Sequence, residues 1–153
     1  MPSTAKTYLR FLAMIATSTV VMYALTYVTS YELGHVLFSE TRLYMALLMG
    51  AAMAVVMLTF MLGMHPNRNA NIAIYVGSVV LFAASTWLVR SQATIEDVAY
   101  MRAMIPHHSI AILTSERARI DDPRVRDLAD RIIAAQRAEI DEMKEYIEDL
   151  EGE

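Results

Sequence analysis

Three runs free of charged side chains, residues 11–31, 43–64 and 69–89, dominate this chain. Each is 21 or 22 residues long, and a helix needs about 20 apolar residues to cross roughly 30 Å of hydrocarbon. The expectation is three transmembrane helices, at about residues 9–31, 43–64 and 70–90. Lys6 and Arg10 before the first run give it a superficial likeness to a signal peptide. It is too long for such a segment and lacks a small-x-small cleavage site, so a retained anchor is expected. Gly34 and Ser39-Glu40-Thr41 punctuate the first connection, and His65-Pro66-Asn67-Arg68-Asn69 makes a tight polar turn in the second. His35 and His65 fall at span edges, where interfacial positions are expected.

Charge divides the chain in two. Residues 1–90 carry five basic and two acidic side chains, whereas residues 91–153 carry 8 basic and 15 acidic ones. The expected domains are therefore a membrane part, 1–90, and an extramembrane part, 91–153. The acidic tail excludes nucleic acid, which needs a basic patch, and favours cations. Lys6, Arg10 and Arg68 place the N-terminus in the cytoplasm by the positive-inside rule, with the tail outside an inner (cytoplasmic) membrane.

The second span carries Met45, Met49, Met53, Met57 and Met61 at four-residue spacing. A thioether ladder for metal transit is one reading. Ordinary apolar packing, with Gly50, Ala51, Ala52 and Ala54 as close-contact positions, is the preferred one.

In the tail, Thr94 and Asp97 mark a helix start, and the helical pattern runs to about Ile120. Asp122 is placed to cap a second helix whose first residue is Pro123 and which runs to about Leu150. Facing positions in an antiparallel hairpin then put Met101 opposite Met143, Met104 opposite Glu139 and His108 opposite Gln136. Pro106 lies inside the first helix, where a bend is expected. Such a bend would bring His107 and Met104 towards the volume His108 faces.

The chain has no cysteine, which removes disulfides, thiolate metal sites and cysteine catalysis. Thioether and imidazole donors without thiolate suit Cu(I), or Cu(II) through the imidazoles, better than hard cations. Glu139 is a further ligand or an acceptor that fixes an imidazole tautomer. The tail holds no Glu-x-x-His, the chain holds no His-Glu-x-x-His, phosphate-binding glycine loop or Gly-x-Ser-x-Gly elbow, and no enzyme activity is expected.

The run Tyr100-Met101-Arg102-Ala103-Met104-Ile105-Pro106-His107-His108, with Gln136, Glu139-Ile140 and Met143 later, resembles the signature of the "domain of unknown function 305" family. The resemblance covers roughly residues 94–150. It implies a ferritin-like helical fold and copper binding outside the cytoplasm. Carried over by position, it implicates Met101, Met104, His107, His108 and Met143, with Gln136 and Glu139 in support. Longer members have more helix around the motif, and two helices bury little core between them. A homodimer or higher homo-oligomer forming a four-helix bundle is therefore expected. The resulting picture is an all-α membrane protein whose hairpin chaperones, buffers or senses copper. The alternative is an oligomerising scaffold or accessory subunit, with His108 and Gln136 setting helix register.

Overall fold

The computed structural model describes residues 4–152. Among them are five α-helices and two 3-10 turns, with no strand. The helices are α1 (Thr4–Leu25), α2 (Glu40–Phe60), α3 (Arg68–Ser91), α4 (Asp97–Arg117) and α5 (Pro123–Gly152). The chain forms two compact units. One contains residues up to Leu25 together with Thr41–Thr94; the other contains Thr26–Glu40 together with residues from Ile95 onward.

In the first unit, α1, α2 and α3 are each long and apolar enough to cross a membrane. Their boundaries differ from the charge-free runs in α1 and at the end of α2, which stops at Phe60 and is followed by a separate 3-10 turn, Leu62–Met64, where the run continues to Met64. α1 starts at Thr4, taking in Lys6 and Arg10, and ends at Leu25 rather than near Tyr31. Lack of charge marks a segment as insertable without making it helical, and residues 26–31 are rich in Thr, Tyr and Ser, which favour other local structure. The face of α2 that packs inward is Ala46, Gly50, Ala54 and Leu58. A Cβ at Gly50 would run into the Thr19 hydroxyl of α1, so this crossing depends on glycine. The methionine row lies one residue away from that ridge, with Met45 and Met49 exposed. His65 is buried rather than interfacial: its ring meets Tyr8 and Phe11 edge-on, and its Nδ1 donates to the Met61 carbonyl at 2.9 Å. Asn67 caps α3, its side chain accepting from the Ala70 N–H at 3.1 Å. At the other end Gln92 adopts φ 52°, a left-handed turn that stops α3.

The second unit is built on the antiparallel pair α4 and α5. Its entry differs from the expected cap. Glu96 precedes α4 without a side-chain cap, and Thr94 instead meets the Tyr44 hydroxyl at 2.9 Å within the first unit. α4 runs unbroken through Pro106 and ends at Arg117, three residues short of Ile120. The start of α5 is as expected: the Arg124 N–H donates to the Asp122 carboxylate at 2.9 Å. Arg124 also holds that carboxyl below its ordinary pKa, first through its side chain and then through its backbone N–H.

The core of this unit is Ile105, Ile112 and Ile140, each at most 2% exposed. Ile133, Met143 and Ile147 of α5 pack against it. So do Tyr31 and Leu37 from the segment that joins α1 to α2. A cut at residue 90 therefore does not match the folded units, because Thr26–Glu40 supplies part of the hairpin's core. Replacing Ile105 with Ala removes a fully buried side chain from this core. The expected loss is about 2–5 kcal/mol, measured by chemical unfolding of the detergent-solubilised chain, with α4 and α5 losing protection first in hydrogen exchange.

Candidate functional site

A hairpin of two helices has two broad faces. The segment Thr26–Glu40 covers one of them. The Tyr31 N–H donates to Ser109 Oγ at 2.6 Å, and the same oxygen lies 3.0 Å from His35 Nδ1. Ser109 is fully buried and His35 is 5% exposed. Burial pushes the His35 imidazole below its ordinary pKa of 6.5, Lys144 pushes the same way, and Glu32 and Asp141 oppose them. His35 is thus a buried fastening. Arg137 lies 6.0 Å from the Tyr31 ring centroid and pairs with Glu116 at 2.7 Å on this side.

The other face carries an open cleft of about 650 Å³. Met101, Met104 and His108 of α4 line it, with Glu139 and Met143 of α5. Tyr100, Tyr146 and Leu150 complete its apolar rim. Met101 and His108 are largely buried, at 7% and 9% exposure, whereas half of the Glu139 side chain is exposed. Five of the seven residues proposed from sequence therefore come together in one cavity.

His108 is held at both ring nitrogens. Nδ1 lies 2.9 Å from the Met104 carbonyl, and Nε2 lies 2.7 Å from Glu139 Oε2. A carbonyl can only accept, so Nδ1 carries a proton and Nε2 is the atom turned towards the cleft. With Nδ1 so occupied, Nε2 is the ring nitrogen that meets the Glu139 carboxylate, and a cation bound there would displace that contact. The Met104 carbonyl would then be the outer partner that orients the ligating ring.

Two expectations are corrected here. His108 faces Glu139 rather than Gln136, because the carboxylate one turn further on offers a charge-assisted hydrogen bond that a neutral amide does not. Gln136 supports that carboxylate, with Nε2 at 3.3 Å from Oε2, but does not line the cleft. His107 is exposed and lies outside the cleft lining, its ring centroid 6.2 Å from that of His108. The unbroken helix keeps these neighbours about 100° apart. Sequence reasoning missed the Ser109 fastening. Its signal was present in the apolar Tyr31 and Leu37, set in a connection that would otherwise be expected to be polar.

Among the described residues, no three His, Cys, Asp or Glu side chains converge to hold a metal ion. What lines the cleft is one imidazole, three thioethers and the carboxylates of Asp97, Glu139 and Glu142.

Comparison with known proteins places the cleft-bearing hairpin in a sequence family. The family described as "Domain of unknown function (DUF305)" matches residues 97–153, the hairpin that carries the cleft. An uncharacterized protein of Acanthamoeba polyphaga mimivirus is 32% identical over 120 residues, covering 77% of this chain and 77% of that protein. The chain belongs to the DUF305 family. The mimivirus relative's match is longer than the hairpin itself, so the likeness extends beyond the family's domain. No solved structure matches the chain.

Ser109→Ala leaves the Tyr31 N–H buried without its acceptor, a cost of about 1–3 kcal/mol. Hydrogen exchange should show the Tyr31 amide losing protection while the α4 core keeps its own. The same amide reports on pH. The docked segment holds His35 neutral, so docking is full above the ordinary value of 6.5 and weakens as pH falls below it. Tyr31 protection should be lower at pH 5 than at pH 7.5, and His35→Gln should flatten that difference.

Proposed function

We propose that this protein is a membrane-anchored copper-binding protein that takes Cu(I) as cargo in the cleft between α4 and α5. The observation that carries the reading is that Met101, Met104 and Met143 line the same cleft as the His108 imidazole, whose Nδ1 is taken by the Met104 carbonyl. Thioethers bind soft monovalent copper well and hard cations poorly. Three thioethers and one imidazole nitrogen make a donor set for Cu(I). Glu139 remains beside the site as a counter-charge. Cu(II) would find a single imidazole beside the carboxylates of the lining, a thinner set of nitrogen donors.

The absence of thiolate fits a carrier working outside the reducing cytoplasm, where cysteine is prone to oxidation. Three spans with a cytoplasmic N-terminus leave the first connection and the hairpin on the same, extracytoplasmic side. Packing of Thr26–Glu40 with α4 and α5 supports that arrangement. The anchor then holds a copper site at the outer surface of the membrane, where it chaperones, buffers or senses the metal.

The test is an anaerobic competition titration of the full-length chain in detergent against a chromogenic Cu(I) chelator. The wild type should withdraw one Cu(I) from the chelator, and uptake should release protons. Met104→Ala/His108→Ala should lose at least about 100-fold in affinity while His107→Ala changes little, because His107 lies outside the cleft lining. If all three proteins left the chelator fully loaded, the copper reading would be wrong.

A further inference from the structure

We infer that α5 carries a self-complementary face on which a second copy of this chain docks antiparallel, laying its own α5 across the cleft. Two stripes run along α5. One, containing Ala129, Ile133, Ile140 and Ile147, is turned inward to α4 and the core. The residues one position earlier form a second stripe, and it is unpartnered. Val125, Leu128, Ile132, Tyr146 and Leu150 on it are between 36% and 49% exposed. Polar Gln136 and Glu139 stand at its middle.

The sequence along this stripe reads the same in apolar character from either end. Setting Gln136 against Glu139 of the second copy brings an amide donor to a carboxylate at the two-fold axis. The same register pairs Val125 with Leu150, Leu128 with Tyr146, and Ile132 with Met143. The flank pointing away from α4 agrees. There Arg124 meets Asp149, Arg131 meets Glu142, and Ala135 meets Ala138, which lets the helices approach closely. One flanking pair, Asp127 with Glu145, is like-charged. Asp127 already accepts from Arg131 at 3.1 Å within its own helix, which offsets that repulsion.

The charge gradient selects the antiparallel mode and selects another copy as the occupant. Residues 123–137 hold four arginines against two aspartates, whereas residues 138–152 hold seven acids against Lys144 alone. Antiparallel pairing sets the basic half on the acidic half twice over; parallel pairing would stack the acidic ends together. The acidic half of the stripe is also the half that lines the cleft. The second copy's Ile132 and Leu128 therefore lie over Met143 and Tyr146 and supply the wall the open cleft lacks. The pairing itself does not rest on the copper reading.

Disulfide cross-linking of the full-length chain tests this cleanly, because the chain has no cysteine of its own. Leu128→Cys and Tyr146→Cys variants, carrying different tags, are co-expressed in one membrane and mildly oxidised. The mixed pair should form a cross-linked dimer. Each variant alone should not, because identical positions lie about 27 Å apart in this register and a disulfide needs roughly 4–7 Å between Cα atoms. Cross-linking of each variant with itself, or no cross-linking in any combination, would overturn the proposal. A charge swap guards against misfolded variants. Arg131→Glu should weaken dimerisation of the detergent-solubilised chain about tenfold by light scattering. Adding Glu142→Arg should restore it, and failure to restore it would count against this register.

Discussion

The structure depends on an imbalance: two helices share only one seam, so a hairpin that carries a functional cleft must find cover elsewhere. Here the cover comes from the connection between α1 and α2, seated on Ser109 by the Tyr31 N–H and His35. Ser109 directly follows His108 on α4. The residue that fastens the covered face and the residue that faces the cleft therefore ride on the same helical turn. Fixing one face of that turn fixes the other. This is how a hairpin with a small core of three isoleucines holds an imbalance of burial without losing the geometry of His108.

The cleft itself is organised by proton placement more than by enclosure. The Met104 carbonyl decides which imidazole nitrogen is available, and Glu139 occupies that nitrogen in the absence of a metal. On the proposed copper reading, the thioethers of Met101, Met104 and Met143 contribute softness without charge, and discrimination rests on donor chemistry. The surrounding acidic helix raises the local concentration of cations without itself forming a cluster able to grip a hard one.

Much of this was legible in the sequence, and the failures have physical causes. The three long apolar helices were visible because charge-free runs of 21 or 22 residues are a signal that few other segments give. The α5 start was visible because Asp122-Pro123 is a strong local signal. Residue spacing brought Met101, Met104, Glu139 and Met143 to a common cleft. It misassigned the partner of His108, because counting positions ignores the reach and charge of a glutamate against those of a glutamine. It grouped His107 with His108 by expecting a bend at Pro106 to turn both towards one volume, whereas His107 lies outside the cleft lining. The docked connection was hidden for another reason. Its contacts span more than 70 residues of sequence, and no local periodicity reports on them.

The central claim concerns which atoms hold the metal, and X-ray absorption at the copper edge reads those atoms directly. The full-length chain loaded with one equivalent of Cu(I) should show sulfur and nitrogen scatterers together in the first shell. His108→Ala should remove the nitrogen while leaving sulfur in place. A shell of nitrogen and oxygen alone, or one unchanged in that variant, would contradict the account.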